Sequence, residues 1–401
     1  MVDPNLPPEL SAERLMKYVR HLSVVIGPRH PTSHAEREAA VYVHDILQRT
    51  NPRWEIKIQP FRSTDGFRYR IAPLALLTGL SLLFGLRPNL KARFVSGLLS
   101  LGLSVSSRDT FLQRPAIWET WLPRGESQNV VVRIPPRRKP QRRIVFIAHL
   151  DSGLHRLTTD SRVVQHLPRT LGGITLMALV GGVLTILSGR SKRWRTVRTL
   201  IAGSALAGAA LSVIDEMGAD VEGANGNASG VAALLGLAEA LNKNPLTSTE
   251  VILAFTGAGT AVSTGADVLA TNYGKLWQDA LWVVVNNVGA GELCWVTRHG
   301  ISPYAYYHPD PKAVEVMART ADARPDLGMM GKTMLTLDEV AILRDRDLRA
   351  VALMAYDRVT GLIPNWRQNS DTIHNIDPAT VERAAHALWT AARVIDQADS
   401  W

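Results

Sequence analysis

Strands alternating with helices over most of the chain predict an α/β protein. It is expected to be a three-layer sandwich on a mainly parallel mixed sheet, with two apolar helical hairpins inserted into it. Three observations carry this. Apolar runs at 144–148, 250–255, 281–285 and 350–355 are short and nearly unbroken, as strands buried on both faces are. Stretches with helical spacing separate them. Four long uncharged stretches come in two pairs, each pair joined by a basic turn.

The elements follow in order. Residues 11–25 carry Leu15, Val19 and Leu22 at helical spacing behind a capping Ser11, and Gly27 and Pro28 break the pattern. A second helix is expected over 33–48, then an alternating strand over 54–61. Residues 71–86 and 94–107 are uncharged around a turn holding Arg87, Lys91 and Arg93. Residues 171–188 and 199–214 repeat the pattern around Arg190, Lys192, Arg193, Arg195 and Arg198. Each arm is a little short of the ~20 residues that span a bilayer, but rich in Gly, Ala and Ser, as packed membrane helices are. Buried soluble hairpins are the alternative. Strands are expected at 129–134 and 144–148, joined by a turn with five positive charges (Arg137, Arg138, Lys139, Arg142, Arg143). That turn is either a solvated tip or a contact for anionic headgroups. An amphipathic helix is expected over 231–241, another from Ala266, and a last one over 378–397.

Thus 1–70, 108–154 and 216–401 should build one domain. Residues 71–107 form the first inserted hairpin, and 155–215 hold a loop and the second.

Length and composition fit this plan. The chain has 401 residues, is 46% hydrophobic and carries a net charge of +9. The positive balance favours anionic partners. No zinc finger, aromatic-basic motif or basic tail points to nucleic acid, so the expected partner is membrane lipid, met through the hairpins and basic turns. Other membrane subunits or a second copy of the chain are further candidates. The single Cys294 excludes an internal disulfide and is expected to be a buried small hydrophobe. The first ten residues lack the basic and apolar segments of a cleavable signal peptide.

The chemistry-bearing motifs lie in the loops after the strands, where open α/β sheets bind ligands. They are Gly-Pro-Arg-His-Pro at 27–31, His149-Leu-Asp151-Ser152, Gly-Ala-Asn-Gly-Asn-Ala-Ser-Gly at 223–230, Thr-Gly-Ala-Gly at 256–259, Asn286-Asn287 and Asp371-Thr372. With these in view the chain resembles the M28 family of zinc aminopeptidases over nearly everything outside the hairpins.

That resemblance implies two zinc ions sharing a bridging Asp, each completed by His and carboxylate ligands, with a Glu as general base for the bridging water. Carried over by position, His149 is a retained ligand and Asp151 its retained orienting carboxylate. The bridging position is Gly226, the general-base position Ala258 and the adjacent carboxylate ligand Gly259. The later Asp ligand is Asn287, and the final His is Arg367. His374 lies on the wrong side of Asp371 to replace it. Gly226, Ala258 and Gly259 offer no donor atom and Arg367 a fixed positive charge, so no metal cofactor is expected. A substitute set from His149, Asp151, His155, His166 and Glu222 is conceivable.

Besides a soluble domain whose hairpins pack on a partner protein, two functional readings remain. One is a non-catalytic, membrane-anchored scaffold or binding subunit. The other is a membrane-bound zinc aminopeptidase with a rearranged metal site. Arg367 is expected to pair with Asp151 in the emptied pocket, directly or through His149.

Overall fold

The computed structural model describes residues 6–114, 117–122, 124–160, 162–188 and 191–398; Arg190 of the second basic turn lies outside them. In chain order the elements are α1 (Ala12–Arg20), α2 (His34–Thr50), β1 (Glu55–Ser63), α3 (Arg68–Phe84), α4 (Leu90–Phe111), β2 (Gly125–Ile134) and β3 (Arg142–His149). There follow α5 (Leu167–Leu187), α6 (Lys192–Asp215), α7 (Ser229–Lys243), β4 (Thr249–Thr256), α8 (Gly259–Val262), α9 (Thr264–Tyr273), β5 (Leu281–Val285) and β6 (Glu292–Ser302). The chain closes with β7 (Ala305–Tyr307), α10 (Pro311–Ala323), β8 (Met330–Thr333), α11 (Val340–Asp345), β9 (Arg349–Tyr356) and α12 (Pro378–Asp396).

The strands form one sheet in the order β1-β2-β4-β3-β5-β9-β6-β7, with β8 beside β6. The centre, β4-β3-β5-β9, is parallel. β1 and β2 run antiparallel to their neighbours, and β6 runs antiparallel to β9 but parallel to β8, so the sheet is mixed. The central strands are buried along their whole length, which is why they read as unbroken apolar runs. One face packs against α1, α2, α7, α10 and α12, the other against α9 and α11. Cys294 is a buried member of that second layer. Helix α7 corrects the sequence reading. From Ser229 to Leu241 only Glu239 is not buried, so α7 is a core helix rather than an amphipathic one.

Both hairpins leave the same end of the sheet, the end where the parallel strands finish. β1 ends at Ser63 opposite Gly125 of β2, and α3–α4 fills the connection between them. The α5–α6 pair follows the end of β3. The basic turn at 135–141 lies at the opposite end, beside the start of β4. A flat surface that receives the hairpins therefore does not reach this turn, and its two strand residues are otherwise engaged: Arg143 pairs with Glu250, and Arg142 donates to the carbonyl of Ala398.

The arms extend past their uncharged cores and pack as a four-helix bundle, α3 against α4 and α6, and α5 against α4 and α6. Small residues set the close approach. A Cβ on Gly97 would lie 2.9 Å from the carbonyl of Gly182, and one on Gly182 would lie 3.0 Å from that of Gly97. Ser81 and Ser96 exchange hydroxyl-to-carbonyl bonds of 2.9 and 2.6 Å between α3 and α4. Two of the turn arginines are buried, not exposed. Arg93 donates to the carbonyls of Thr185 and Ile186 at the end of α5, and Arg198 to Gly85 at the end of α3. They satisfy helix-end carbonyls that have no intrahelical partner.

The outward faces of the bundle are apolar: Leu77, Leu80, Val95, Leu98, Leu179 and Leu200 are all exposed. Two stretches, 164–187 and 192–215, are long and apolar enough to cross a membrane by length and composition. The core helix of a soluble protein can pass the same test.

Candidate functional site

The loops after the parallel strands converge, and the sequence motifs explain how they are held. Arg29 is fully buried and donates to the carbonyls of Leu150, Leu22, Gly27, Glu222 and Gly223, tying the N-terminal segment to two site loops. Ser33 caps α2. The buried Glu36 of that helix accepts from the backbone N–H of Thr32 at 2.8 Å and of Ala258 at 2.6 Å. Burial, and then the Asp151 charge nearby, pushes Glu36 up to about 8. Asp371 accepts from the N–H groups of Asn225 (2.6 Å) and Gly226 (3.2 Å), and burial raises it to about 6.

His149 and Asp151 form the buried centre. The His149 ring places Nδ1 2.9 Å from the Asp151 carbonyl and 3.5 Å from its carboxylate, and Nε2 3.2 Å from Asn286 Oδ1. Burial works against the imidazolium, but the Asp151 carboxylate outweighs it and holds His149 up to about 9. Burial likewise works against the Asp151 anion, and His149 together with Thr260 brings it down to about 2. Asp151 accepts from Gly259 N (2.7 Å), Thr260 N (2.7 Å) and Thr260 Oγ1 (2.6 Å). Its anion is thus satisfied without a metal.

His149, Gly226, Gly259, Asn287 and Arg367 line one small cavity of about 30 Å³, joined by Asn286, Thr260, Glu339 and Asp371. Asp151 and Ala258 are buried beside it. Three of these positions, Ala258 (φ 51°), Asn287 (φ 53°) and Arg367 (φ 52°), are non-glycine residues in the left-handed region. Such backbone is costly and is held here by the surrounding loops.

The expected direct pair between Arg367 and Asp151 is not formed. Arg367 donates to the carbonyl of Thr260 at 2.8 Å, because the N–H groups of Gly259 and Thr260 already fill the Asp151 oxygens. Asp151 acts on Arg367 only through space, where burial lowers the guanidinium to about 10.

The residues do not fit a zinc pair. His149 is the one imidazole among the carried-over positions, and Gly226, Ala258 and Gly259 bring no donor side chain beside it. The empty ligand positions have also been filled in. A Cβ on Gly226 would lie 2.7 Å from Asn287 Oδ1, and one on Gly259 2.5 Å from His149 Cβ. Among the described residues no group of three or more His, Cys, Asp or Glu side chains could hold a metal ion. The substitute set of His149, Asp151, His155, His166 and Glu222 is therefore not brought together. His155 lies on the loop joined to Ala219, His166 opens α5, and Glu222 accepts from Ile373 N.

Sequence reasoning passed over Glu339. It is 2% exposed, and neither carboxylate oxygen has a hydrogen-bond partner among the described residues. Burial raises it to about 6. Next to it Asp338 pairs with His299 at 2.7 Å, both wholly buried. Two consecutive acids in an apolar stretch, Leu337-Asp338-Glu339-Val340, were the available signal.

The model for Peptidase family M28 matches residues 211–392. A Zn-dependent exopeptidase from Parabacteroides distasonis superposes with a TM-score of 0.56 at 15% identity, covering 98% of this chain and 99% of that one. The chain carries the M28 peptidase fold. A glutaminyl cyclase from Fimbriiglobus ruber gives a TM-score of 0.58 at 13% identity over 98% and 97% of the two chains. The zinc aminopeptidase BSAP from Bacillus subtilis gives 0.55 at 13% over 97% and 95%. The curated proteins yield no match. The fold thus houses zinc-dependent exopeptidases and glutaminyl cyclases alike, and the M28 resemblance read from the loops holds.

Proposed function

We propose that this chain is a non-catalytic M28-fold protein, anchored in a membrane by its four-helix bundle and acting there as a scaffold or binding subunit. One observation carries the non-catalytic reading. The positions carried over from the zinc carboxylates and the base hold no carboxylate: they are Gly226, Ala258, Gly259 and Asn287. At 259 an added Cβ would meet the root of the His149 ring, and at 226 the tip of the Asn287 side chain. A hydrolytic site requires an activated water beside a bound carbonyl, with a base in reach of both. Here the base position is Ala258, and the cavity of about 30 Å³ has room for about two waters.

Anchoring is supported by the outward apolar faces of α3–α6, the small-residue contacts between the helices and the two stretches of membrane-spanning length. The helix-end carbonyls capped by Arg93 and Arg198 leave few backbone groups open at the tips, while the exposed Arg87, Lys91, Arg193 and Arg195 beside them suit an anionic headgroup layer. In this arrangement the vacated site faces the bundle.

Two measurements test the reading. Alkaline carbonate washing of membranes should leave the protein in the pellet, and the purified protein should not hydrolyse aminoacyl-4-nitroanilides above a His149→Ala control. Release into the wash refutes the anchoring. Turnover that the His149→Ala variant loses refutes the non-catalytic assignment.

A further inference from the structure

A second cavity, of about 510 Å³, opens between the bundle and the domain. Its long walls are the domain-proximal halves of α5 and α6. From Leu167 to Met177 along α5 the wall runs about 15 Å. On α6 the small Ser204, Ala207 and Gly208 leave the space open, and Leu211 and Ile214 line it nearer the domain. The space is apolar along these helices and becomes polar only at its domain end.

That end is unevenly paired. Its two carboxylates are already engaged. Asp215 accepts from Thr158 N and Oγ1 at 2.9 and 2.7 Å, and Glu216 accepts from Arg68 N at 2.8 Å and pairs with Arg156. The cations are not equally served. The buried Nε of Arg156 has no hydrogen-bond partner among the described residues. Arg367 has a backbone carbonyl, and no described carboxylate lies within ion-pair distance of it. Of the three guanidiniums in the lining, Arg68 pairs with Asp65 at 3.0 Å, Arg156 shares Glu216, and Arg367 has no carboxylate within ion-pair distance among the described residues. Arg367 belongs to both cavities, so the residue at the family's final ligand position also forms the head end of this one.

We propose that this cavity binds a single-chain amphiphile with one negative charge, of the long-chain fatty acid class. The chain lies along α5 and α6, and the carboxylate sits between Arg367 and Arg156. The open Nε of Arg156 and the guanidinium of Arg367, which has no ion pair among the described residues, suit a single carboxylate, whose two oxygens match a guanidinium fork. The apolar length excludes a small anion as the full occupant, since most of the wall would then be left facing water. The replacement of a ligand position by arginine thereby gains a role: the metal-facing side chain becomes a lipid-head receptor.

The test uses the full chain in nanodiscs of phosphatidylcholine, with empty discs as the blank and radiolabelled oleate as the probe. One saturable oleate site per chain above the blank is expected. Oleylamine, with the same chain and a cationic head, should bind at least about tenfold more weakly, and Arg367→Gln should weaken oleate by about tenfold or more. Gly208→Phe should remove the site, because a Cβ there meets no heavy atom within 4 Å and the ring enters the cavity. Gly203→Phe, equally free of neighbours but not part of the lining, should bind oleate as the unmodified chain does. The proposal is overturned by no oleate above the blank, by equal binding of oleate and oleylamine, or by undiminished binding in both Gly208→Phe and Arg367→Gln.

Discussion

Substituting Gly259 by alanine separates a site that is merely missing its ligands from one that has closed. In a vacated pocket an added methyl group fills empty space, and Gly→Ala at a position with ordinary backbone stabilises by about 0.4–1 kcal/mol through the unfolded chain. Gly259 is not in the left-handed region, so that gain applies. In this structure the new Cβ would lie 2.5 Å from His149 Cβ and 2.7 Å from its Cγ. The obstacle is the root of a buried ring, held by Asp151 on one side and Asn286 on the other, so it cannot swing away as a flexible tip would. Overpacking of this kind costs about 1–3 kcal/mol. The net expectation is a loss of about 1–2 kcal/mol. With an unfolding entropy of about 2 cal/mol/K per residue, a chain of this length shifts by about 1 °C per kcal/mol, so Tm should fall by about 1–2 °C. Thermal unfolding in one detergent, followed by near-ultraviolet circular dichroism, reads it. A Tm equal to or above that of the unmodified chain would refute the closed-site argument.

Asp151→Asn tests the buried pair. Asp151, held down to about 2, contributes stability present above its ordinary 3.8 and lost as pH falls through 2. His149, held up to about 9, contributes stability present below its ordinary 6.5 and lost as pH rises through 9. The variant should therefore lose about 3–5 kcal/mol at pH 5–6, and the gap should narrow toward pH 9, as unfolding midpoints at several pH values will show. Ala258→Gly should be neutral or stabilising by about 0.5–1 kcal/mol, because the left-handed backbone at φ 51° favours glycine. A clear loss in the same melt contradicts that. Gly182→Leu should break the crossing with Gly97 and lower the stability of the detergent-solubilised protein; an unchanged melting midpoint would show that the bundle does not depend on this contact.

The central strands were legible because burial on both faces leaves their middles apolar, with polar residues only toward the ends, and β5 falls at 281–285 as read. The hairpins were legible from missing charge, although their true ends, Arg68 and Phe111, Leu167 and Asp215, lie among charged residues that the uncharged windows left out. The region from 290 to 349 was opaque. β6 has an irregular burial pattern and a register shift beyond Val296, and α11 is only six residues long. The motifs bring His149, Gly226, Gly259, Asn287 and Arg367 to one cavity. What no motif could say is where a freed side chain turns. Arg367 faces Thr260 rather than Asp151 because two backbone N–H groups reached Asp151 first. The burial of Arg93 and Arg198 escaped for a similar reason, since a basic turn reads as solvated until the carbonyls beside it are seen.

The central claim, that the M28 fold here works without its metals, is tested most directly by metal content. The full chain, purified without chelator and dialysed against micromolar zinc, should carry well under one zinc per chain by atomic emission, and His149→Ala should not change the value. One or two zinc ions per chain, removed by His149→Ala, would contradict the account.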